Sequence, residues 1–98
     1  MSGKEIIERI GYFRTKACLT QRALSIDIDM NVGYINRLEC KKDFLPSVET
    51  LLKIIEACGI TDEEFFYEDY EHYEEDKCIF TKIKQLSPEK REALLKLL

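Results

Sequence analysis

The stretch from Leu19 to Gly59, LTQRALSIDIDMNVGYINRLECKKDFLPSVETLLKIIEACG, constrains the chain more than any other. Thr20 is a capping residue placed directly before Gln21, with Ala23, Leu24 and then Ile28 on one face, so a short helix begins at Gln21. Asp29 and Asn31 follow as turn residues, and aspartate accepts a left-handed backbone better than most side chains. With Asn31 as its cap, the next helix is expected from Val32 to Cys40. Spacings of three and four put Ile35 and Leu38 on one side and Val32, Gly33, Asn36 and Arg37 on the other. Gly33 weakens a helix interior by about 1 kcal/mol relative to alanine, which suits a place where another backbone approaches closely. A loop then leads to Ser47, which caps a longer helix with Glu49 in its first turn. Leu51, Leu52, Ile54, Ile55 and Cys58 supply its core face, and Gly59 ends it.

Elements on either side are read the same way. From Lys4 to Ala17, Ile6, Ile10, Phe13 and Ala17 form a helical stripe, with Arg9, Arg14 and Lys16 outside or beside it. Thr61 begins a brief fifth helix through Phe66. Residues 68–86 begin as an acidic, tyrosine-bearing stretch expected to be a solvated linker, and apolar patterning returns at Cys78, Ile79, Phe80, Ile83 and Leu86. Ser87 and Pro88 then start a carboxy-terminal helix over 87–98. Its Leu94, Leu95, Leu97 and Leu98 exceed what one small core needs, which points to dimerisation. The fold class is all-α: a five-helix domain over residues 1–67, a connecting segment, and a leucine-rich helical extension.

Composition narrows the function. At 98 residues with 45% apolar content, the chain can bury one modest core. It has no apolar run long enough to span a bilayer and no basic-then-apolar start, so a cytoplasmic protein without a membrane partner is expected. Cys18, Cys40, Cys58 and Cys78 lie 22, 18 and 20 residues apart with His72 the only histidine, whereas zinc sites usually draw thiolates in close pairs; no metal site or cofactor is indicated. No nucleophile stands beside a base in a recognisable motif, and no glycine-rich phosphate loop follows a strand, so no enzyme is expected. The net charge of −4 is unevenly placed. Residues 1–46 carry eight basic against six acidic side chains, while Asp62 to Asp76 holds nine acidic and no basic ones. A nucleic-acid partner is compatible with the first half, with weak non-specific binding.

Several residues together carry a family resemblance. Arg14, the run Leu19-Thr20-Gln21, the run Tyr34-Ile35-Asn36-Arg37-Leu38-Glu39, and Pro46-Ser47 before a leucine-rich helix resemble the phage-repressor and Cro-like helix-turn-helix domains of the XRE group of bacterial transcriptional regulators. The likeness spans Ile6 to Phe66. It implies a lambda-repressor-like fold, double-stranded DNA as partner, and a homodimeric regulator that usually represses. It also implies that Gln21 touches the DNA backbone and that Val32, Gly33 and Arg37 reach base edges, with Arg37 suited to guanine and Val32 to a thymine methyl. Asn31, Tyr34 and Asn36 would flank them, and Lys41 and Lys42 would neutralise phosphates. Arg14 and Glu39 match a pair that joins the first helix to the recognition helix. Relatives often have glycine where this chain has Cys18, Asp29 and Lys41. A protein-interaction module of the same fold, binding another regulator or a toxin through the acidic segment or the terminal leucines, is the alternative.

Overall fold

The computed structural model describes residues 1–41 and 44–98. Among them the chain is all helical: α1 Gly3–Lys16, α2 Gln21–Asp27, α3 Tyr34–Lys41, α4 Val48–Ala57, α5 Asp62–Phe66, α6 Tyr73–Lys84 and α7 Pro88–Leu97, with one turn of 3-10 helix at Tyr70–His72. No helix among the described residues is long and apolar enough to cross a membrane. The chain divides into two units, Met1–Phe66 and Tyr67–Leu98.

In the first unit, side-chain caps fix where helices begin. Thr20, Ser47 and Thr61 accept hydrogen bonds from the amides of Ala23, Thr50 and Glu64, satisfying donors that a helix start leaves unpaired. Gly59, at φ +73, closes α4. Cys18 and Asp29 both take φ +59, the left-handed backbone that favours glycine. The core gathers Ile7, Ile10 and Phe13 of α1, Leu24 of α2, Ile35 and Leu38 of α3, Leu51, Ile54 and Ile55 of α4, and Phe65 of α5. Phe13 and Phe65 pack with ring centroids 5.8 Å apart.

Four details differ from the sequence reading. Ile7, not Ile6, leads the buried face of α1, and Leu52 of α4 is exposed. Arg9 is buried, and its Nη1 donates to the carbonyl of Phe65 over 2.7 Å, satisfying an orphan acceptor at the end of α5. The fourth difference lies at α3, which starts at Tyr34 instead of Val32. Asn31 Oδ1 accepts from the Gly33 amide at 2.9 Å, and the Gly33 carbonyl accepts from the Arg37 amide, so Gly33 stands at the cap and not in the helix interior. A cap position carries little of glycine's helix penalty. The nearest atom to a Cβ built there is Asn31 Oδ1 at 3.5 Å, an ordinary contact, so no close approach among the described residues demands glycine.

The second unit contains the largest departure, because the stretch expected as a linker is helical from Tyr73. Charge position explains it. Glu74, Glu75 and Asp76 occupy the first turn of α6 while Lys82 and Lys84 occupy its last, each sign at the end the helix dipole favours. Tyr67 donates from its hydroxyl to Asp76 Oδ2 at 2.8 Å and packs edge-on to Tyr73. Ser87 caps α7 by accepting from the Lys90 amide, and Pro88 enters at its first turn. The guanidinium of Arg91 donates to the Lys84 carbonyl, tying α7 to the end of α6.

Candidate functional site

The polar residues singled out in the sequence meet where α1, α2 and α3 come together. Arg14 of α1 grips Glu39 of α3 with two parallel bonds, Nε to Oε2 at 2.7 Å and Nη2 to Oε1 at 3.0 Å. Its remaining Nη1 donates to the Leu19 carbonyl at 2.8 Å, which holds the turn between α1 and α2. Charge-assisted, bidentate geometry of this kind fixes orientation as well as adding energy. The hydrogen bond to Glu39 raises the Arg14 pKa further above its already high value, against the opposing effect of burial, so the guanidinium stays charged.

Gln21, the first residue of α2, extends the pair. Its Nε2 donates to Glu39 Oε1 at 3.1 Å, and its Oε1 accepts from Asn36 Nδ2 at 2.8 Å. Arg14, Glu39, Gln21 and Asn36 therefore form one continuous chain of polar contacts across three helices. Asn36 and Arg37 are exposed. Val32, at 47% exposure, and Asn31 stand just before α3. Ile35 and Leu38 on the opposite side of α3 are fully buried.

Ser25 is a structural contributor that sequence reasoning misses. It lies on α2 with no solvent exposure, donating from its hydroxyl to the Gln21 carbonyl at 2.8 Å and accepting from the Ile35 amide at 3.1 Å. The amide is an orphan donor in the first turn of α3, so one helix caps the next from the side. Its only signal in sequence is a small hydroxyl residue next to Leu24, on the inward face of α2.

The other described site residues stand outside these contacts. Tyr34, expected to flank the reading face, is only 8% exposed and packs edge-on against Phe44 with centroids 6.0 Å apart. Burial raises its hydroxyl pKa, with the Arg37 charge pulling the other way. Lys41 is exposed at the end of α3 and lines a shallow cleft with Tyr34, Arg37 and Phe44. Lys42 lies outside the described residues. Leu94 is half-buried, and Leu95, Leu97 and Leu98 are 70%, 84% and 93% exposed, in the second unit and not in the first.

The described residues contain no group of three His, Cys, Asp or Glu side chains that could hold a metal ion. All four cysteines are free; Cys58 is buried and the others are exposed. Comparison with family models, with curated proteins and with solved structures finds no match to this chain.

Proposed function

We propose that this chain is a sequence-specific DNA-binding transcriptional regulator of lambda-repressor-like helix-turn-helix fold, acting as a homodimer on two half-sites and repressing by covering a promoter. One observation carries the reading. The helix pair α2 and α3 is locked at its junction by Ser25 and by the Arg14, Glu39 and Gln21 contacts, while Asn31, Val32, Asn36 and Arg37 remain exposed at the amino-terminal end of α3. A rigid short helix with a polar, cationic end turned outward suits insertion into the major groove. Arg37 offers a bidentate fork for guanine O6 and N7, and Val32 an apolar surface for a thymine methyl. Gln21 uses one Nε2 hydrogen on Glu39, which leaves the other for a phosphate oxygen. Lys41 adds a further phosphate contact.

A second reading, a protein-interaction module binding another regulator or a toxin, draws on the exposed leucines of α7 and the acidic stretch of the second unit. Selection of bound sequences from a random duplex pool, at two salt concentrations, with the native chain and Arg37→Ala, separates the two. The DNA reading expects a paired motif that loses definition in Arg37→Ala. Absence of enrichment even at low salt assigns the chain to the interaction class.

A further inference from the structure

The contacts between Arg14 and Asn36 have a direction, and that direction determines what Asn36 offers to a ligand. A carboxylate has only acceptors, so Glu39, pinned by Arg14 through both its oxygens, requires a donor from Gln21. Gln21 must then turn its Nε2 to Glu39 and its Oε1 away, toward α3. That oxygen in turn requires a donor, so Asn36 presents Nδ2 inward at 2.8 Å. Reversing the Asn36 amide would set two carbonyl oxygens against each other. Among the described residues nothing else takes Asn36 Oδ1 or the second hydrogen on Nδ2, and the side chain is exposed. The outward edge of Asn36 is one donor and one acceptor in fixed order.

We propose that Asn36 reads an adenine in the half-site, accepting from N6 at Oδ1 and donating from Nδ2 to N7, and that Glu39 and Gln21 are positioning residues that set its polarity. This rests on the DNA-binding reading above and adds to it a base, a residue and a cause. An amide of fixed order has little rotamer freedom left to lose on binding, and it distinguishes A·T from T·A because donor and acceptor cannot exchange places. Adenine at this position is preferred by roughly 10- to 100-fold over other bases, the range of one good bidentate contact. The guanine assigned to Arg37 is a separate position and does not depend on the relay.

The test has one arm without DNA and one with it. In the free protein, nitrogen-15 spectra of the side-chain amides are compared between the native chain and Glu39→Gln. The relay requires the Gln21 and Asn36 amide resonances both to move, and an unmoved Asn36 amide overturns it. In the second arm, random-duplex selection is run with the native chain, Asn36→Asp, Glu39→Gln and Arg37→Ala. Position 36 is exposed, so Asn36→Asp should fold. Its carboxylate has only acceptors and gives Gln21 Oε1 no donor, so the adenine preference should be lost, with cytosine, whose N4 is a donor, the favoured replacement. Glu39→Gln should lower the adenine preference about tenfold with the guanine retained, and Arg37→Ala should do the reverse. A motif that is unchanged at every position in Asn36→Asp overturns the inference and leaves the DNA reading standing. No motif from any chain overturns both.

Discussion

At Ser25 a single buried oxygen joins two helices, donating within α2 and accepting from the first turn of α3. Ser25→Ala strands the Ile35 amide in the interior and should cost about 1–3 kcal/mol, read as a lower urea midpoint. If the midpoint is unchanged, the hydroxyl does not hold α3 in place. Cys58 gives a pH-dependent prediction. Burial pushes its thiol from the ordinary 9.0 up to about 11, so between those values the folded chain keeps a proton that the unfolded chain has lost. Stability from this group is therefore complete below about pH 9 and declines as pH rises toward 11. Urea midpoints across that window should fall for the native chain and fall less for Cys58→Ala. Burial also raises Tyr34, which acts with the same sign at higher pH and remains in both chains.

Among the elements, the turns are where backbone strain is concentrated. Cys18 and Asp29 hold φ +59 without being glycine, and Gly59 holds +73 with open space where a Cβ would stand. Cys18→Gly relieves a left-handed cost at some entropic loss and should stabilise by about 0.5 kcal/mol, with a smaller gain for Asp29→Gly because aspartate tolerates that region. Gly59→Ala has nothing to clash with, so its expected loss of about 1 kcal/mol isolates the backbone contribution. Paired urea melts of the three variants check the signs, and a destabilising Cys18→Gly would contradict the strain assigned there. Caps such as Thr20, Ser47 and Ser87 are legible in sequence because a hydroxyl three residues before an amide is a local pattern. The start of α3 is harder to read, since Asn31 serves equally well as a helix cap or as the acceptor of a two-residue turn, and the Gly33 amide takes the second option. The acidic stretch does not read as a helix because a charge run says nothing about where along a helix each sign falls, and α6 places them by end. Contacts between distant residues, such as Arg9 with Phe65 or Ser25 with Ile35, leave no spacing to detect. Arg14 and Glu39 are connected in sequence only through the family resemblance, which supplies the pairing.

For the molecule as a whole, the proposed homodimer makes a quantitative demand on the second unit. Leu95 and Leu97 of α7 and Leu98 just beyond it are highly exposed apolar residues, so charging them has little folding cost within one copy. Leu95→Glu with Leu98→Glu should convert a dimer to a monomer in sedimentation equilibrium and leave the helical signal intact. Affinity for a two-half-site duplex should drop at least tenfold, because each half-site is then bound without the gain in effective concentration from its neighbour. A native chain that sediments as a monomer at roughly micromolar concentration would remove the dimer from the proposal.

The buried bond from Arg9 to the Phe65 carbonyl also sets an order of events during synthesis. Arg9 precedes by fifty-six residues the Phe65 carbonyl that accepts from it. Until Phe65 emerges, Arg9 lacks this buried acceptor, so the packing of α5 over α1 waits for that carbonyl. The first unit is completed only when α5, its last helix, leaves the exit tunnel. A nascent chain stalled before Phe65 has emerged should accordingly be open to protease, and one stalled after its release should be resistant.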